Sequence, residues 1–128
     1  MCFHSDTPIL LIAKKNIVCY KLLSAYQVSP YQNFVYRKNQ KNDDMQLILR
    51  SNIINIGYHS YKKFKTGYIR STRDWGISQS GPTRLKVFKF VIPKGAEYYE
   101  NNREYVSSNI ILKKECKFKS FFGKIFYV

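Results

Sequence analysis

Acid is scarce in this sequence. Eight Asp and Glu stand against 22 Lys and Arg, a net charge of +14 at pH 7. Glycine and proline are also sparse, at 6 and 4, which excludes a low-complexity or collagen-like chain. Three cysteines, Cys2, Cys19 and Cys116, form no Cys-x-x-Cys pair and leave an odd count, which excludes a disulfide framework. Only two histidines accompany them, so no zinc spacing is available. No apolar run approaches the roughly 18–20 residues of a spanning helix. In Pro8–Ala13 the basic pair Lys14-Lys15 follows the apolar stretch, whereas a secretory signal places its charge first. The expectation is a soluble, cytoplasmic protein with reduced thiols and no membrane partner.

What is present is apolar and aromatic. Of 128 residues, 45% are hydrophobic, with 11 Tyr, 9 Phe and 1 Trp, enough for one domain, residues 1–128, with its own core. Asn16–Leu23 is rich in β-branched and aromatic types and reads as a strand, with Cys19 as a small buried hydrophobe inside it. Gln46–Arg50 and Ile53–Ile56 read as strands around a Ser51-Asn52 turn. Leu85–Pro93 carries apolar residues on both faces and reads as a central strand. Further short strands are expected at Phe34–Tyr36, Glu97–Tyr99, Tyr105-Val106 and Asn109–Leu112, with an edge strand in the tail. Arg37–Asp44 is polar throughout and reads as a mobile loop, and Arg73–Thr83 as a long one. Ser60 is placed to cap a short helix through Tyr61–Lys65, with Tyr61, Phe64 and Tyr68 on one face. The expected class is α+β: a twisted, mainly antiparallel sheet of about five to seven strands with one or two short helices.

The charge is clustered. Lys62, Lys63, Lys65, Arg70, Arg73, Arg84, Lys86 and Lys89 have only Asp74 among them; Lys113, Lys114, Lys117, Lys119 and Lys124 are opposed only by Glu115. Glu97, Glu100 and Glu104 form an acidic island between the blocks. Tyr58, Tyr61, Phe64, Tyr68 and Trp75 are interleaved with the first block. Cations track a phosphate backbone, and exposed rings stack on splayed bases. Lys62, Lys63, Lys65, Arg70, Arg73, Arg84, Lys113, Lys114, Lys117 and Lys119 are therefore the expected nucleic-acid contacts, with Trp75, in a Gly/Ser loop, for stacking. No catalytic residue, metal site or cofactor is assigned. Cys2, His4 and Asp6 alternate ligand types without a second pair, and His59 has no adjacent acid.

Three segments carry a resemblance: Cys19–Leu23, Gly57-Tyr58-His59-Ser60-Tyr61, and Ile92–Tyr99 followed by Tyr105–Ile110. Their order resembles small bacterial and phage domains with a Gly-Phe-His-Ser block and an Ile-Pro-Lys-Gly-x-x-Tyr-Tyr turn, which look like relatives of the ADP-ribosyltransferase fold. That resemblance implies an NAD-binding enzyme centred on His59, with Tyr61 as a loose match to the family's Tyr. No Glu falls in the expected motif; Glu100 and Glu104 sit in an Asn-rich turn. In style the chain is also similar to phage anti-CRISPR inhibitors. The reading adopted is a non-enzymatic basic binding protein that engages RNA, or an RNA-guided effector complex, as a phage-type anti-defence inhibitor. The alternatives are the NAD-binding enzyme and an adaptor for an acidic protein surface.

Overall fold

The computed structural model describes residues 3–24, 27, 34–54, 56–63, 85–116, 118–121 and 124–127. Twelve strands run through them: β1 Phe3–His4, β2 Leu11–Ile12, β3 Ile17–Ser24, β4 Leu49–Arg50, β5 Ile53–Ile54, β6 Tyr58–Tyr61, β7 Leu85–Ile92, β8 Glu97–Glu100, β9 Glu104–Ser107, β10 Ile111–Glu115, β11 Phe118–Phe121 and β12 Lys124–Tyr127. The main sheet has the order β10-β7-β3-β6-β9-β8-β2; a smaller one has β1-β5-β4; β11 and β12 pair alone. Every strand pairing is antiparallel.

The α+β expectation is overturned, because no helix occurs among the described residues. The expected helix start at Ser60 lies inside β6, where Tyr58 and Ser60 face one side of the sheet and His59 and Tyr61 the other. Four ladder pairs to β9, Tyr58↔Ser107 through Tyr61↔Glu104, satisfy its backbone, and Tyr61 also pairs with Tyr20 of β3. A tyrosine-rich segment suits a strand, and tertiary pairing overrides a coincidental three-residue spacing of aromatics. Phe64, Tyr68 and the expected loop over residues 73–83 lie outside the described residues.

Strands β3 and β7 pair along their full lengths, Ile17↔Ile92 to Ser24↔Leu85, at the centre of one wing of the sheet. The Ser51-Asn52 turn forms as read, with both residues at left-handed φ (49° and 67°), as a two-residue hairpin loop requires. The tail is a hairpin, β11–β12, rather than a lone edge strand.

The main sheet cannot be flat. Ile12 to Ile17 joins β2 to β3, which are four strand spacings apart, roughly 19 Å in a flat sheet. Five residue steps reach at most roughly 18 Å even when fully extended, and Lys14-Lys15 is bent. Ile92 to Glu97 makes the same crossing from β7 to β8 through Gly95, at φ +92. The two links are tied together: Gly95 N donates to Ala13 O (2.8 Å), Ala13 N to Ala96 O (2.9 Å), and Lys94 N to Asn16 Oδ1 (2.9 Å). The sheet therefore coils until its β2–β8 side approaches β3 and β7.

The inner face of this coil holds the main core, with Cys19, Leu23, Tyr58, Phe88, Phe90, Ile92 and Leu112 buried around Tyr36. Tyr36 meets Phe90 and Phe34 edge-on at centroid distances of 5.1 and 4.8 Å. On the outer face, Phe3 and Ile54 of the small sheet pack on Tyr99 and Val106. Gly57 lies at that junction; a Cβ there would come within 2.6 Å of both Leu47 and Val106 side chains.

Residues 37–44, expected to be mobile, are fastened to the sheet. Asn109 is buried, and all its side-chain polar groups are used. Its Oδ1 accepts from Asn42 N and Ile110 N, and its Nδ2 donates to Asn42 O and Asp44 Oδ1. Asn42 Nδ2 donates to Ile110 O, and Tyr58 OH to Asp43 O. Asn39 N donates to Leu112 O, and Lys38 forms a parallel bridge with Leu112, so this segment runs along the outer side of β10.

Candidate nucleic-acid interface

The first basic block is split in space, with Lys62 and Lys63 after β6 and Lys86 and Lys89 on β7 beside the second block. Lys62 follows β6 on the inner face. Its Nζ lies 3.0 Å from Glu100 Oε2 and 5.2 Å from the Tyr105 ring centroid. The acidic island thus neutralises Lys62, and Lys63 remains exposed beside it; Lys86 and Lys89 of the same block lie on β7. Tyr58 and Tyr61 are buried, so neither offers a stacking surface. Lys65, Arg70, Arg73, Trp75, Arg84 and Lys117 lie outside the described residues. Lys119 lies on β11, paired with Phe126.

The second block lies three strands away, roughly 14 Å across the ladder. Here the register of β10 shifts between Leu112 and Lys114, where Lys114 pairs with Lys89 of β7. At such a bulge two residues of one strand oppose one of its neighbour. Lys113 and Lys114 therefore converge on Lys89. Lys114 is exposed, and Lys113 and Lys89 are half-buried. Glu115, the nearest acid in sequence, is bound to Lys86 at 3.2 Å. None of the three lysines forms a salt bridge with a described residue. Both Lys89 and Lys114 act on the buried Cys116 thiol, pulling down a pKa that burial raises.

A continuous row crosses the outer face at this level. Glu104 pairs with Tyr61, Tyr61 with Tyr20, Tyr20 with Lys89, and Lys89 with Lys114. Tyr20, half-buried, is thus the ring next to the lysines. Beyond β10, Arg37 and Lys38 are exposed, with Lys38 alongside Leu112 and Arg37 therefore next to Ile111. Sequence reasoning missed Arg37 and Lys38 because they open a polar run, and did not select Lys89 or Tyr20. The available signal was the lysine doublet 113–114 ending an apolar strand, which is where bulges that re-aim side chains occur.

One cation is half-buried against the core instead. Lys21 shares the inner face with Cys19, donates from Nζ to His59 O at 2.6 Å, and lies 5.9 Å from the Tyr36 ring centroid. Burial lowers its pKa to about 8 and pushes the Cys19 thiol up to about 12, with the neighbouring Ser60 hydroxyl and Lys21 pulling the thiol partly back. His59 is half-buried on the outer face, opposite Val106. Of the acids in the Asn-rich turn, Glu100 lies on the opposite face, committed to Lys62, and Glu104 is buried. Among the described residues, hollows of about 660, 530 and 180 Å³ open at His4–Thr7 with Asn101–Arg103, at Lys94–Glu97 with Asp44–Gln46, and at Phe34 with Arg37; His59 lines none of these. The chain matches no protein-family model, no curated protein and no solved structure.

Proposed function

We propose that the protein is a cytoplasmic, non-enzymatic binder of nucleic acid, RNA in the first instance. In this reading it acts on RNA or an RNA-guided effector as a phage-type anti-defence inhibitor. The observation that carries the reading is the convergence of Lys89, Lys113 and Lys114 at the β10 bulge, unneutralised by any described carboxylate. Three cations held together repel one another, and a polyanion relieves that repulsion by releasing its own counterions. Tyr20, beside Lys89 in the same row, supplies a ring of the kind on which an unpaired base stacks. Arg37 and Lys38 extend the cationic strip for a backbone to follow. The chemistry is sequence-tolerant, since lysines on phosphate fix position rather than base identity.

The test is binding of a short single-stranded RNA at a series of salt concentrations. Affinity that falls steeply and linearly in log–log form supports the reading, as does its loss on charge reversal at Lys89, Lys113 and Lys114. A flat salt response, or binding indifferent to these lysines, refutes it.

A further inference from the structure

The other end of the main sheet has the opposite character. Strand β2 is last in the order, bound to β8 through Leu11↔Tyr98 and Ile12↔Glu97, with no strand beyond it among the described residues. The direction of its backbone groups follows from Ala13, whose N–H and C=O both engage residues 95–96. Backbone groups alternate along a strand, so those of Leu11 also turn inward, and those of Leu10 and Ile12 point away from the sheet. The side chains there are apolar and exposed: Ile9 67%, Leu10 48% and Ile12 63%. Natural sheets shorten, charge or cover their edges; β2 is short, two residues, but its exposed side chains are uncharged and no described residue pairs with its outer edge. Immediately after it come Lys14 and Lys15, exposed, with exposed Lys94 held beside them through Asn16. Glu97 pairs with Ile12, and Asp44 shares a hollow with Lys94 and Lys41, so among the described residues cations outnumber acids here.

We propose that the β2 edge accepts an extended, acidic segment of a partner protein as an added strand. Backbone pairing to Leu10 and Ile12 supplies the ladder, exposed Ile9, Leu10 and Ile12 supply apolar contact, and Lys14, Lys15 and Lys94 select for negative charge. A second copy of this chain fits less well. Two copies at +14 each repel at long range. In a two-fold antiparallel pairing about Leu10, Pro8 falls opposite Ile12 and has no N–H to give. The exposed Asp6–Lys14 pairs such a dimer would gain contribute little. This site is independent of the lysine cluster at β10, at the far end of the strand order.

The test uses the full chain and two capped ten-residue peptides, one alternating valine and glutamate, the other valine and lysine. Binding is followed by amide resonances and by hydrogen exchange at Leu10 and Ile12. The expected result is slowed exchange at both amides with the acidic peptide, and at least about tenfold weaker binding of the basic one. Ile12→Glu and Leu10→Glu, both at exposed positions, should each weaken the acidic peptide about tenfold while leaving RNA affinity unchanged, which also shows the variants to be folded. Three results overturn the proposal: no slowing at these amides, equal binding of the two peptides, or edge amides already protected in a dimer seen by light scattering.

Discussion

The two ends of the main sheet solve the same problem in opposite ways. At β10 the outward backbone is covered by residues 38–39, and the side chains around it are cations. At β2 the backbone is open and the side chains are aliphatic. A covered, charged end resists strand addition and attracts polyanions; an open, apolar end invites strand addition. The cover at β10 depends on one buried asparagine, so the difference between the ends can be broken at a single position. Asn109→Ala removes four side-chain hydrogen bonds, three of which fasten residues 42–44. It should lower stability by roughly 3 kcal/mol in urea denaturation, since partners are left buried and unpaired. Hydrogen exchange at the Asn39 amide should accelerate with it, making β10 resemble β2.

Next in size is the charge itself. Reversing Lys89, Lys113 and Lys114 together to Glu should weaken single-stranded RNA by about 100-fold at low salt. It should also cut the log–log salt slope by about 2, each lost phosphate contact removing roughly 0.7. The fold should survive, since Lys114 is exposed and the other two are half-buried.

Lys21, on the strand between the ends, isolates the effect of burial on a cation. Its folded pKa of about 8 lies below lysine's ordinary 10.5, so between these values the unfolded chain holds the proton and the folded one releases it. Stability therefore carries the full penalty of the buried charge below pH 8 and rises as pH climbs above it. Cys19 and Tyr36, whose values burial raises, oppose that rise from about pH 9 upward. Lys21→Met should abolish the gain between pH 8 and 9, as measured by thermal melts across that interval. The smallest effect is expected at Lys62. Already bound to Glu100, Lys62→Ala should change RNA affinity by less than about threefold.

Much of the strand content was legible, and the reasons are local. β3 and β7 are dense in β-branched and aromatic residues, and the Ser51-Asn52 turn uses residue types that tolerate left-handed φ. Cys19 was recognisable as buried for the same reason. What could not be read depends on distant partners. The polar run 37–44 looks free because Asn109 and Ile110, which hold it, lie 65 to 68 positions away. β6 looks helical until β3 and β9 pair with it. In the site, the doublet Lys113-Lys114 was visible, but its convergence on Lys89 depends on a register shift, and the quenching of Lys62 by Glu100 depends on the position of a hairpin. Charge clustering in sequence is therefore a poor guide to charge clustering in space when strands from both halves of the chain interleave.

The pairing of β3 with β7 also bears on how the chain reaches its folded state. Residues 17–24 find their main partner only at residues 85–92, with the intervening chain to be closed into a loop first. Such non-local pairing is slow to form, whereas the β8–β9 hairpin, joined by Asn101–Arg103, can form early. During synthesis, the apolar strip Ile17–Leu23 must wait until Ile92 has left the ribosome before either side is covered by β7. The interval in which this protein is most prone to aggregate is therefore written into its topology, and slowing translation between these two strands should lengthen it.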